Sequence, residues 1–153
     1  MNIEREQWQM VISLCVVAIV ATLLLGLTDM VTREPIATAQ RQALHRALQQ
    51  VLPEHANDPI DDVVRIGPDA VPVYLARDAR RRIIGAAWET VAPDGYAGSI
   101  RILMGVEPDG RIYAIRVTDH RETPGLGDGI VHNQSWLNSF IGRAIGSVRW
   151  AVK

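Results

Sequence analysis

The segment IRILMGVEPDGRIYAIRVT, residues 100–118, decides how this chain folds. Two apolar runs, Ile100–Val106 and Ile112–Thr118, flank Pro108-Asp109-Gly110. Asp-Gly between alternating apolar runs is a hairpin signature, because the turn needs a residue that accepts positive φ. Ile102, Met104 and Val106 alternate with Leu103 and Gly105, and Ile115 and Val117 alternate with Arg116, so one face is expected to be buried under helices. Working back, Ile83–Val91 and Val71–Ala76 are further strand-like runs, set off by Pro93-Asp94-Gly95 and by Arg77-Asp78-Ala79-Arg80. Connections this short leave no room for crossover helices, so the spacing predicts an antiparallel meander in an α+β domain. Gly85, Gly98 and Gly105, in or beside strands, predict bulges or close backbone approach.

The last strand runs into His120-Arg121-Glu122-Thr123-Pro124-Gly125-Leu126-Gly127, an irregular loop before a helix-like segment. Pro124 fixes its own φ and drives Thr123 towards an extended conformation. Gly125 and Gly127 put no Cβ in the way of a ligand. A loop that opens a helix offers unpaired amides to an anion such as a phosphate; the same residues also make an ordinary Pro-Gly turn. Asp128–Ile141 reads as one helix with Ile130, Trp136, Leu137, Phe140 and Ile141 as its apolar set, closed by Gly142. Trp136 at that spacing reads as core before cofactor contact. Val148, Trp150 and Val152 alternate as the start of another strand, so the domain is expected to be incomplete at its C-terminus.

The N-terminal third differs in kind. Met10–Leu27 holds no charged residue and as a helix spans roughly 27 Å, near the hydrocarbon thickness of a bilayer. Trp8 stands where an interfacial aromatic belongs. The run is too long, and its N-terminal flank too weakly basic, for a cleaved signal peptide, so it reads as an uncleaved anchor. Arg5 precedes the span and Arg33, Arg41 and Arg46 follow it, which leaves the orientation open. Glu34–Leu52 reads as an amphipathic connector helix with Pro35 in its first turn and Pro53 as its stop. The expected plan is a tail at 1–9, an anchor at 10–31, a connector at 32–53 and a domain at 54–153.

A net charge of −1 gives no basic surface for nucleic acid. Of the 16 basic residues only Lys153 is lysine, a bias without functional content of its own. Cys15, the single cysteine, lies in the apolar run, so the remaining chain has no disulfide, zinc cluster or catalytic thiol. Asp61-Asp62 reads as a solvated pair and His45 as an edge residue. No nucleophile elbow, HExxH or Walker loop is present. His120 and Glu122, two apart, suit a metal or acid–base pair, but loop-anchoring hydrogen bonds explain them better. No catalytic residue and no metal ligand is assigned.

HRETPGLGD at His120–Asp128, preceded by DGYAGSIRILMGVEPDGRI at Asp94–Ile112 and followed by Trp136 and Phe140–Gly142, resembles one family. It is the FMN-binding G subunit of Rnf-type ion-translocating electron-transport complexes; the C subunit of the sodium-pumping NADH:quinone reductase shares the plan. The resemblance covers nearly the whole chain, anchor included. It implies a single-pass protein of the inner membrane with a periplasmic α+β domain. Glu122, Thr123, Pro124, Gly125, Leu126 and Gly127 would line FMN, with Tyr96 and Gly98 nearby. The implied role is to relay electrons between other integral membrane subunits of a translocase that couples redox to ion movement, with no activity expected of this chain alone.

In that family the flavin phosphate is esterified to a Thr in a Ser/Thr-Gly-Ala-Thr motif near the C-terminus. This sequence contains no such motif, so it is expected to be shortened and to hold FMN weakly, to bind it without the covalent bond, or to bind none. Two other readings compete: a membrane-anchored assembly module that keeps the fold without cofactor, and a ligand-binding domain tethered near a transporter.

Overall fold

The computed structural model describes residues 3–144. Helix α1 is Ile3–Val51, 49 residues long, and it encloses Pro35. The separate helix expected to begin at Glu34 is therefore a continuation. A proline inside a helix forfeits one backbone hydrogen bond, at a cost of about 3 kcal/mol, a loss that the bonded turns on both sides outweigh. The Thr38 hydroxyl, just beyond the proline, donates to the carbonyls of Glu34 and Pro35 at 3.2 and 2.9 Å. Among the described residues α1 is the one helix long and apolar enough to cross a membrane, and its side chains from Met10 to Val31 are largely exposed.

The chain divides into two compact units at Gln42/Ala43. In the second, the last turns of α1 are followed by β1 (Val63–Ile66), β2 (Val71–Arg77), β3 (Ile83–Ala92), β4 (Ile100–Val106) and β5 (Ile112–Asp119). All pair antiparallel in the order β1-β2-β3-β4-β5, the expected meander. Strand β1 was not anticipated: it has four residues, all exposed, and pairs Arg65 with Pro72, so it carries no alternation to read. The Asp109-Gly110 hairpin is closed by Glu107 and Arg111, with Gly110 at φ +83°.

One sheet face is built of small residues. Ala76 pairs with Gly85, and Ala87, Gly105 and Ala114 form a row across three strands. Ala47, Leu48, Val51 and Leu52 bury against Ala76, Ala87 and Leu103. The glycines permit this approach: a Cβ on Gly105 would overlap the Val51 carbonyl, and one on Gly85 would lie 2.8 Å from Pro53 Cδ. Close approach expected at these two positions is thus present. The opposite face is apolar as well. Trp88, Met104 and Ile115 stand side by side on it and line a cavity of about 470 Å³ with Trp136 and Phe140.

Two further expectations need correction. The helix expected over Asp128–Ile141 is two short ones, α2 (Gly129–His132) and α3 (Gln134–Asn138). They break at Asn133, whose ψ of 86° leaves the helical region and whose Oδ1 accepts the Trp136 N–H at 3.0 Å. A side chain that can cap a new helix competes with continuing the old one. Asp62 is also more than solvated. It accepts from Arg77 Nε and Nη2 and from Asn57 Nδ2 at 2.5, 3.3 and 3.3 Å, and the Arg77 hydrogen bond holds its carboxyl below the ordinary value against a smaller opposing effect of burial. The pattern Val148–Val152 lies outside the described residues.

Candidate functional site

Strand register brings two loops to one end of the sheet. Ala92 pairs with Ile100, and Arg101 with Asp119. Hence the 93–99 loop leaving β3 and the 120–128 loop leaving β5 emerge side by side. Glu122 joins them: its Oε1 accepts the Ala97 N–H at 3.1 Å, while its own N–H donates to His120 Nδ1 at 3.2 Å. His120 and Glu122 therefore anchor the loop, the better of the two roles their spacing offers.

Glycines make room for that carboxylate. A Cβ on Gly127 would stand 2.6 Å from Glu122 Oε2, and one on Gly95 would stand 3.0 Å from Oε1 and overlap the Gly98 carbonyl. Gly98 has φ +141° and runs beside the Arg121 side chain.

Thr123-Pro124-Gly125-Leu126 is a tight turn. Leu126 and Gly127 N–H both donate to the Thr123 carbonyl, at 3.1 and 2.9 Å, and Gly125 has φ +77°, as expected of Pro at the second and Gly at the third position of a type II turn. The Gly125 N–H donates to Asp128 Oδ1 at 2.9 Å. The amides of Gly125, Leu126 and Gly127 are therefore spent inside the loop, not left unpaired for an anion. With α2 only four residues long, the helix start adds no anion site.

What the loops do offer is surface. Tyr96 is 93% exposed and Leu126 is 83% exposed, while Thr123 and Pro124 are exposed beside them. An aromatic ring and an apolar side chain held in water on two pinned loops suit the face of a planar, largely apolar ring system. The phosphate of such a ligand finds no cradle in the amides of 125–127. Among the described residues, no group of three or more His, Cys, Asp or Glu side chains could hold a metal ion.

Three residues of this cluster were not singled out from the sequence. Gly95 and Ala97 sit in what reads as a plain turn, and Asp128 in what reads as a helix start; each acts through a partner distant in sequence or through its backbone. Trp136 meets Phe140 edge to face, 5.0 Å between ring centroids, and borders the separate apolar cavity, whose lining takes nothing from 120–127.

Two family profiles match the chain: "RnfG N-terminal region" over residues 3–51, the span of α1, and "FMN-binding domain" over residues 95–151, which takes in the 120–128 loop and the 93–99 loop from Gly95 onward. Among similar curated proteins is the G subunit of the ion-translocating oxidoreductase complex of Aliivibrio fischeri, 37% identical over 92% of this chain and 72% of that protein. The protein of that name from Pseudomonas aeruginosa is 40% identical, over 89% and 69% respectively. That from Cereibacter sphaeroides is also 40% identical, over 89% and 65%.

Proposed function

Since the chain belongs to the family of G subunits of ion-translocating oxidoreductase complexes, we propose that it carries FMN and passes electrons between other subunits of such a complex. It is a subunit of an oxidoreductase that moves ions, and α1 is its membrane anchor. The observation that carries the cofactor reading is the pair Tyr96 and Leu126, held out in water on two loops that Glu122 pins together. Both lie within the segment that matches the FMN-binding profile.

Bound flavin supplies the electron chemistry, since it accepts and releases electrons by itself. The protein has then to hold, orient and partly dry the ring. Leu126 gives it an apolar surface. Tyr96 gives it an aromatic one. Gly98, Thr123, Pro124, Gly125 and Gly127 keep the approach free of bulky side chains, and Glu122 fixes the loops. No proton-transfer residue is needed.

Engagement of the 125–127 amides within their own turn favours a phosphate held elsewhere. Residues 1–153 include no Ser/Thr-Gly-Ala-Thr, so the reading for these residues is that added FMN binds them reversibly and weakly, without the effective concentration that a tether gives. Placement in the inner membrane, with the sheet domain on the periplasmic side and integral membrane subunits around it, completes the reading.

The test is titration of FMN fluorescence with the full chain purified in detergent, alongside denaturing electrophoresis. Saturable quenching and a non-fluorescent protein band are expected. A folded chain that never quenches FMN overturns the cofactor reading and leaves an assembly module of the same fold; a fluorescent band overturns the non-covalent one.

A further inference from the structure

We propose that Glu122 is a positioning residue for the flavin-facing loops and makes no contact with the ligand through its charge. The inference rests on the flavin reading given above. One carboxylate oxygen is engaged by the protein, Oε1 taking the Ala97 N–H at 3.1 Å, and the other, Oε2, lies beside Gly127, where an added Cβ would stand only 2.6 Å away. The residue's backbone is fixed as well, its N–H on His120 Nδ1 at 3.2 Å. Glu122 thus bridges 25 positions of sequence to Ala97, next to Tyr96, while sitting four residues before Leu126. It sets the position of one exposed contact residue relative to the other.

Gly127, and in part Gly95, then have an explanation. Gly127 lacks a side chain where one would displace Oε2; at Gly95 a Cβ would crowd Oε1 as well as overlap the Gly98 carbonyl. Gly127 has no positive φ to satisfy, so the space taken by Glu122 is the reason for glycine there.

Four forms of the full chain in detergent test this: Glu122→Ala, Glu122→Gln, Gly127→Ala and the double Glu122→Ala/Gly127→Ala. Amide exchange at Ala97 by NMR reads the pin without flavin, and FMN fluorescence quenching reads the ligand. Loss of a hydrogen bond to a carboxylate raises Ala97 exchange about tenfold in Glu122→Ala, and FMN affinity falls by a similar factor. Glu122→Gln keeps both within about threefold, because its amide oxygen accepts the same N–H.

Gly127→Ala copies Glu122→Ala, and the double variant is no worse than Glu122→Ala alone, since its methyl group then has nothing to displace. Unchanged exchange at Ala97 in Glu122→Ala overturns the proposal. So do fully additive effects in the double variant, and so does a Glu122→Gln form that keeps Ala97 protected yet binds FMN as poorly as Glu122→Ala. If Glu122→Ala fails to fold, Glu122→Gln and Gly127→Ala decide alone. Wild-type chain that protects Ala97 but ignores FMN overturns the flavin reading and leaves the pin standing.

Discussion

The Val51 carbonyl at the end of α1 lies so close over Gly105 in β4 that a Cβ at 105 would overlap it. Helix and sheet here meet backbone to backbone. Leu48 and Val51 reach the floor formed by Ala87 and Leu103 only because the row Ala87, Gly105, Ala114 is small.

Gly105→Ala is therefore expected to lower unfolding stability by about 3 kcal/mol, the scale of overpacking where backbone must move. Gly110→Ala is the contrast. Gly110 needs positive φ, +83°, yet a Cβ there meets nothing within 4 Å, so only backbone strain of about 1 kcal/mol is added. Denaturant titration followed by near-ultraviolet circular dichroism separates the two; equal losses would mean that α1 is not seated on Gly105.

Asp62, just before β1, and Arg77, at the end of β2, form an ion pair reinforced by Asn57. The Asp62 carboxyl is held below its ordinary value of 3.8, chiefly by the Arg77 hydrogen bond. A carboxyl with a lower folded than unfolded value stabilises the fold above the unfolded value and loses that effect as pH falls through the folded one. Asp62→Asn should thus cost about 1 kcal/mol at neutral pH, with the gap to wild type closing below about pH 4. Paired denaturation curves across pH check this. A gap that stays constant into acid would show that the charge of Asp62 contributes nothing.

The hairpin, the meander and the apolar span were legible because each rests on local chemistry: Asp109-Gly110 for the turn, alternation for β4 and β5, an uncharged run for α1. Gly85 and Gly105 were legible as places of close approach, though not which residues would approach. Strand β1 was not, because four exposed residues leave no pattern. The break at Asn133 was hidden by apolar spacing that runs on across it, and Asp62 by a partner fifteen residues away. At the candidate site the loop and its turn could be read from Pro124-Gly125. The Glu122–Ala97 bond could not, since it depends on the register of three strands.

Asn133 caps α3 through its Oδ1 on Trp136 N–H. Asn133→Ala should destabilise the region by about 1 kcal/mol, and the loss should be local to α3. Amide exchange at Trp136 and the tryptophan emission of a variant retaining Trp136 alone are the readouts. Unchanged exchange at Trp136 would count against the cap.

Leu126 and Tyr96 separate ligand binding from folding. Both are almost fully exposed, so Leu126→Ala and Tyr96→Ala should leave unfolding stability within about 0.5 kcal/mol of wild type. If the flavin ring covers Leu126, trimming that side chain removes apolar contact and weakens FMN about tenfold. Tyr96→Phe keeps the aromatic face and should bind close to wild type, whereas Tyr96→Ala should not. Trp136→Phe, at the separate apolar cavity, should leave FMN affinity unchanged. Fluorescence titrations of the four variants decide where the ring sits: a Leu126→Ala chain with undiminished affinity places it away from this loop, and loss of affinity in Trp136→Phe places it in the cavity instead.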